Sequence, residues 1–255
     1  MASVVSRARP SPPGHAVIWD YDGTLVDSGA KNLVVTRAIV ERITAQPARA
    51  FEALASMAGY RTALASTQNW REFYARSFLL SEEDVDRAGR LWAEYQLADT
   101  TPTPLVTGIA AVVRSLAHLP HGIVSQNARE AIAAVLDSSG LTGPFQAIIG
   151  FEEVDLRRQK PAPEGLLRCI EILTDLRPGY VFYVGDHETD AVCAARAKDV
   201  LAGQGPGVKL ISVGAVYGAG PTRAWAVEPD HFVRRPHEIV EIVAGYTGLP
   251  RARGA

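Results

Sequence analysis

AVIWDYDGTLVDS, residues 16–28, is the stretch whose reading decides the architecture. Its first four residues are wholly apolar, as a strand covered on both faces requires, and sheets covered on both faces are typically parallel. The run leads straight into Asp20 and Asp22, two carboxylates at the carboxyl end of the strand, where open α/β sheets gather their ligands. Asp and Gly also stabilise turns, so this string alone is compatible with turn chemistry. Four more short apolar runs alternate with helical patterns downstream: GIVSQ (122–126), QAIIG (146–150), YVFYVGD (180–186) and VKLISVG (208–214). That alternation predicts an α/β fold of parallel strands joined by crossover helices.

One interval breaks the rhythm. Between about residues 29 and 103 no β-run appears, and VVTRAIVERI, AFEALASMA, WREFYARSFLL and DVDRAGRLWAEYQLA read as successive amphipathic helices. Ser81, followed by Glu82, Glu83 and Asp84, has the form of an N-cap with acidic residues at the positive helix end. DTTPTP (99–104) then supplies a proline-bearing linker. The simplest account is a helical module, residues 29–104, inserted into an α/β core made of 15–28 and 105–250. Residues 1–14, with three prolines and no acid, read as a mobile tail, and 251–255 as a short basic end.

Composition excludes several classes. With 47% hydrophobic and 21% charged residues in a chain of 255, the protein has material for a core and lacks the signature of disorder. A formal charge of −2 provides no overall field for nucleic acid or an anionic membrane. No apolar run approaches the ~18 residues of a membrane span, and no secretory block opens the chain, so a soluble cytoplasmic protein is expected. Cys169 and Cys193 lack metal-type spacing and read as small core residues.

Turn chemistry does not account for a second acidic cluster, Gly185-Asp186-His187-Glu188-Thr189-Asp190, which again follows an apolar strand and opens a helix. Two acidic strand ends can build a cation site, and hard oxygen donors suit Mg²⁺ with waters and a phosphate completing its shell. A phosphoryl group also needs donors and positive charge. Ser125 ends one of the apolar runs, and Lys160, one of four lysines in the chain, is held in a loop by Pro161. Taken singly, Ser125 reads as a helix cap and Lys160 as a solvated cation; their order beside two acidic motifs reverses that.

Together these elements resemble the haloacid dehalogenase-like (HAD) hydrolase superfamily, in its phosphoglycolate phosphatase-like branch: DYDGTLVDS at 20–28, Ser125, Lys160-Pro161 and GDHETD at 185–190. The resemblance implies a Rossmann-like sheet with the first strand central, a helical cap over 29–104, and a nucleophilic Asp20 that forms an aspartyl phosphate. It further implies Asp22 as acid and base, a pair of roles that relatives cleaving carbon–halogen bonds lack, so dehalogenation is not expected. Mg²⁺ would be held by Asp20, the Asp22 carbonyl and Asp186, with Asp190 as ligand or outer partner. Ser125 and Lys160 would bind the phosphoryl oxygens, with the backbone N–H groups of Gly23 and Gln126 as further donors. The implied activity is hydrolysis of a small phosphorylated metabolite. A sugar phosphomutase of the same fold and a non-catalytic metal-binding or phosphoacceptor module are the alternatives. The chain departs from the branch in placing His187 and Glu188 after the Gly-Asp pair.

The remaining features read more plainly. Asp27 and Ser28 are expected as hinge and N-cap, His187 as an exposed first-turn residue, and GQGPG (203–207) as a loop. Trp70, Phe73, Tyr74 and Phe78 recur at helical spacing, which predicts packing between helices. Arg61, Arg71 and Arg76 are candidates for an acidic substrate group, with Arg61 preferred because Gly59-Tyr60 reads as a loop.

Overall fold

The computed structural model describes residues 14–67, 69–203, 207–217 and 225–248; both expected tails lie outside these apart from Gly14. Six strands form one parallel sheet: β1 (Ala16–Trp19), β2 (His121–Val124), β3 (Phe145–Ile149), β4 (Gly179–Gly185), β5 (Val208–Ala215) and β6 (His231–Val233). Their order is β3-β2-β1-β4-β5-β6, so β1 lies inside the sheet between β2 and β4, as the resemblance implied. The five expected strands are present within one or two residues. β6 was not foreseen, because three residues are too few to display a period.

Between β1 and β2 come α1 (Gly29–Thr44), α2 (Glu52–Ala55), α3 (Met57–Ala65), α4 (Trp70–Phe78) and α5 (Glu82–Ala98). Around the sheet lie α6 (Ile109–Ser115), α7 (Arg129–Ser138), α8 (Glu164–Thr174), α9 (Glu188–Ala202) and α10 (His237–Thr247). Alternation along β1 sends Val17 and Trp19 to one face, where Ile109, Ile132 and Ile239 of α6, α7 and α10 meet them. Ala16 and Ile18 go to the other, against Leu166 and Ile170 of α8 and Ala194 and Ala197 of α9. All four β1 side chains are fully buried, which is why the run carries no polar residue.

A polar pair is nonetheless built into this core. Trp19 Nε1 donates to His121 Nδ1 at 3.0 Å, which leaves the imidazole proton on Nε2 facing the Leu116 carbonyl at 3.0 Å. Burial holds His121 down at about 4, against 6.5 for a free imidazole. The folded state therefore binds fewer protons than the unfolded chain between those values. Its contribution is fully present above pH 6.5 and is lost as pH falls toward 4, in total about 3 kcal/mol. Urea titrations at pH 7 and pH 4.5 should show this loss in the wild type and a shallower one in His121→Gln; equal slopes would refute it.

The helices α1 to α5 have a core of their own, with Leu33, Ile39, Leu54 and Val85 packed around aromatic side chains. Phe73 meets Tyr60, Tyr74 and Phe78 edge-to-face at 5.1–5.6 Å, the packing expected from their spacing. Ser81 caps α5, its Oγ accepting from Asp84 N–H at 3.2 Å. Two local expectations fail. AFEALASMA is not one helix, since the chain breaks at Ser56, whose Oγ caps α3 by accepting from Gly59 N–H at 3.0 Å. Gly59 and Tyr60 are therefore helical, and the glycine is needed for contact, since a Cβ there would lie 2.8 Å from the Glu52 carbonyl oxygen. The chain leaves and re-enters the α/β region at one place: Asp27 N–H donates to Pro104 O (2.8 Å) and Val106 N–H to Leu25 O (2.9 Å). Val26 and Leu105 pair there as an isolated antiparallel bridge.

Candidate active site

Asp20 is the first residue past β1, and its N–H continues the ladder to Val184 O at 2.7 Å. The backbone then closes a tight loop, in which Leu25 and Val26 N–H groups converge on Tyr21 O (3.0 and 3.2 Å) and Gly23 N–H reaches Val26 O (2.8 Å). Gly23 has φ +78°, and a Cβ on it would sit 2.0 Å from Asp186 Oδ2. Glycine is thus required both by the left-handed backbone and by the approach of the second acidic loop. The Gly23 N–H, expected as a donor to phosphate, is donated to the Val26 carbonyl, and the absence of a Cβ gives Asp186 its space.

Lys160, from the segment between β3 and α8, joins the two acidic motifs. Its Nζ donates to Asp20 Oδ1 at 2.5 Å and to Asp190 Oδ1 at 2.8 Å, with all three side chains buried. Asp190 also accepts from Tyr183 Oη–H (2.7 Å) and His187 N–H (3.2 Å). It lies so close to β4 that a Cβ at Gly185 would meet its Cγ at 2.4 Å. Carboxylate oxygens of Asp20, Asp186 and Asp190 lie within 4.8 Å of one another. Among the described residues no donor pairs with the Asp186 carboxylate.

Three carboxylates therefore crowd one ammonium, which, among the described residues, bonds only Asp20 and Asp190. Burial pushes Asp20 up to about 7, with Lys160 opposing the rise and Asp190 and Asp22 adding to it. Burial likewise raises Asp186 well above the carboxylate range, reinforced by Asp20 and Asp190. Burial would lower Lys160, but Asp190 and Asp20 outweigh it and hold the ammonium above its usual range. The uncompensated negative charge and the hard oxygen donors fit a divalent cation at Asp20 and Asp186. Asp190, already engaged by Lys160 and Tyr183, fits the outer position.

Asp22 is held by two amides that the sequence did not single out. Asn32 Nδ2 of α1 donates to its Oδ1 (3.1 Å), and Asn127 Nδ2, beyond β2, donates to its Oδ2 (3.4 Å). Buried Gln96 of α5 donates to Asn32 Oδ1 at 2.7 Å, which fixes the amide so that its NH₂ faces Asp22 and Ser28 Oγ. A glutamine on the otherwise apolar stripe of LWAEYQLA was the available signal for this contact.

One cavity, about 980 Å³ in volume, is lined by Asp20, Asp22, Gly23, Gln126, Lys160, Asp186 and Asp190 together with residues of the helical module. Ser125 is not on its wall; it is buried behind, where its Oγ accepts from Asn127 N–H at 3.0 Å. Gln126 Nε2 donates to Lys160 O (3.1 Å) and so ties the loop after β2 to the lysine segment. His187 is half-buried on the wall, contrary to its expected exposure, because its Nδ1 caps α9 by accepting from Thr189 N–H (3.2 Å). Glu188 is buried and accepts from Ala226 N–H (2.5 Å). Ser28 occupies the N-cap position of α1 without a side-chain cap bond. Arg71 and Arg76 pair with Asp86 and Glu72, which leaves Arg61 as the arginine on the cavity wall among the described residues. Residues 204–206 of GQGPG lie outside the described residues.

Fold and site together define an α/β enzyme with a carboxylate-rich cleft at the carboxyl edge of a parallel sheet. The chain belongs to the haloacid dehalogenase-like hydrolase family, whose pattern matches residues 15–198. It is 30% identical over 184 residues to a phosphoglycolate phosphatase of Cereibacter sphaeroides, covering 71% of this chain and 80% of that one. It is 24% identical over 230 residues to the pyrophosphatase PpaX of Listeria monocytogenes, covering 89% and 95%. The crystal structure of a predicted phosphoglycolate phosphatase from Haemophilus somnus superposes with a TM-score of 0.66 at 17% identity, over 89% of this chain and 97% of that one. Among the described residues no helix is long and apolar enough to cross a membrane.

Proposed function

We propose that the protein is a Mg²⁺-dependent phosphatase that hydrolyses a small soluble phosphate monoester, in the manner of phosphoglycolate phosphatase, through an aspartyl phosphate on Asp20. The observation that carries this is the meeting of three groups on one cavity wall: Asp20, paired with Lys160, and Asp22, two residues on and clamped by two amides. Asp20 attacks phosphorus as the bond to the leaving oxygen breaks, and Asp22 gives that oxygen a proton. A water then attacks the phosphorus, Asp22 takes its proton back, and Asp20 is released with inorganic phosphate. Lys160 neutralises charge as it moves from the Asp20 carboxylate to the phosphoryl oxygens. The Asp20 and Asp186 carboxylates and the Asp22 carbonyl would hold Mg²⁺, which offsets repulsion between anionic nucleophile and anionic ester. Asp190 holds Lys160 in place, the Gln126 N–H supplies a donor to the phosphoryl group, and Ser125, behind the wall, holds the backbone of Asn127. Residues 29–104 act as a cap that excludes bulk water. Unpaired, buried Cys169 and Cys193 accord with a cytoplasmic setting.

The reading is tested by phosphate release from a panel of phosphorylated metabolites with Mg²⁺ or EDTA. Free phosphate that requires the metal is expected; an isomerised sugar phosphate would assign a mutase instead. Gln96→Leu frees the Asn32 amide to rotate and should lower kcat for alkyl esters about tenfold. With p-nitrophenyl phosphate, whose leaving group needs no proton, kcat should change less than about threefold. An equal loss on both esters would remove Gln96 from any role in aiming Asp22.

A further inference from the structure

Beneath the ionic floor of the cavity lies a hydroxyl that the phosphatase reading leaves without a task. Tyr183 is on β4, two residues before Gly185, and only 1% exposed. It stands in register with Ile18 of β1 and shares a core cluster with Ile18, Cys193 and Ala194, on the face covered by α8 and α9. These neighbours are apolar. Phenylalanine would fill nearly the same space, so the phenol oxygen is what distinguishes the residue. Its partner is Asp190, at 2.7 Å, and since a carboxylate accepts, the phenol donates.

Asp190 is held on both oxygens. Its Oδ1 accepts from Tyr183 and, at 2.8 Å, from Lys160 Nζ, which uses both lone pairs of that atom; its Oδ2 accepts from His187 N–H at 3.2 Å. Yet carboxylate oxygens of Asp190, Asp20 and Asp186 lie within 4.8 Å of one another, close enough for Asp190 to be a third ligand of the same cation. Such a ligand would change the site. Mg²⁺ keeps several waters and is bound through about one or two carboxylates, whereas Ca²⁺ takes roughly six to eight oxygens in flexible geometry, so a third carboxylate favours Ca²⁺. It would also deprive Lys160 of the partner that opposes Asp20. Taking the cation site of the phosphatase reading as given, we infer that Tyr183 is a positioning residue. Its hydroxyl turns Asp190 toward Lys160 and withholds it from the cation at Asp20 and Asp186, so that the site prefers Mg²⁺.

Calorimetric titration of the full chain with Mg²⁺ and with Ca²⁺ tests this without any turnover. Tyr183→Phe keeps the packing and removes the donor; it should tighten Ca²⁺ binding about tenfold while the Kd for Mg²⁺ stays within about threefold. Asp190→Asn alone should leave the ratio of the two affinities within about threefold of wild type, because the carboxylate it replaces is already withheld. In the double variant the gain in Ca²⁺ affinity should vanish, since it requires the freed carboxylate. The Asp190→Asn arm decides the matter if Tyr183→Phe does not fold. A ratio unmoved by Tyr183→Phe, or one that Asp190→Asn alone lowers tenfold, overturns the role of Tyr183 and leaves the phosphatase standing. The expected ratios in a protein whose wild type releases no phosphate from any ester support that role and overturn the phosphatase. Failure of the wild type to bind either ion overturns both.

Discussion

Asp20→Asn is expected to abolish phosphate release, by at least about 10⁴-fold, while the protein becomes more stable in the presence of a chelator. The two effects have one origin. The Asp20 carboxylate is buried beside two other carboxylates, which raises it to about 7, so folding without a cation disfavours its charged form. Because the folded carboxyl binds its proton more tightly than the unfolded one, stability from this group grows as pH falls through 7 and is least in alkaline solution. An uncharged amide of the same shape removes that penalty and, with it, the atom that attacks phosphorus. Melting curves in EDTA at pH 8 should place the variant above the wild type by roughly 5 °C, with the order narrowing when Mg²⁺ is added. Turnover equal to wild type would end the assignment of Asp20 as nucleophile.

Lys160→Met should lose activity as well, by about 10³-fold, but with the opposite sign in stability. Here the buried Asp20 and Asp190 carboxylates lose the ammonium that both accept from, at 2.5 and 2.8 Å. Breaking a buried pair from one side typically costs about 3–5 kcal/mol, because the remaining charge has no partner. Urea denaturation in EDTA should register that loss, and Mg²⁺ should restore part of it by supplying positive charge to the same oxygens. Combining Lys160→Met with Asp20→Asn should be less destabilising than Lys160→Met alone. A lysine variant as stable as wild type in EDTA would show that the three-way contact contributes nothing to the fold.

Much of this architecture could be read from residue order. A strand buried on both faces admits no polar residue, so β1 announced itself as AVIW, and its position inside the sheet was what the family resemblance implied. Asp20, Asp22, Lys160, Asp186 and Asp190 do converge on one cavity. What escaped was whatever depends on contact across long separations. Gln96 and Asn32 lie 64 residues apart, and Asn127 and Asp22 lie 105 apart, so no local period could join them. Gly59 looked like a loop because glycine is a poor helix former, yet it lies inside α3, where the Glu52 carbonyl leaves no room for a side chain. His187 looked exposed because first-turn residues commonly are, and its cap bond to Thr189 turned it inward.

The paired crossing at Leu25–Asp27 and Pro104–Val106 has a consequence for how such a protein can vary. Since the outgoing and returning strands hydrogen-bond to each other, the sheet senses only a narrow neck, whatever lies beyond it. Loop-closure entropy rises only slowly with length, so lengthening or shortening the excursion disturbs the sheet very little, provided that Asn32 and Gln96 keep their hold on Asp22. Substrate preference can thus drift while the sheet stays unaltered, as a tool head is changed on one handle, so long as the replacement keeps the fitting that grips Asp22.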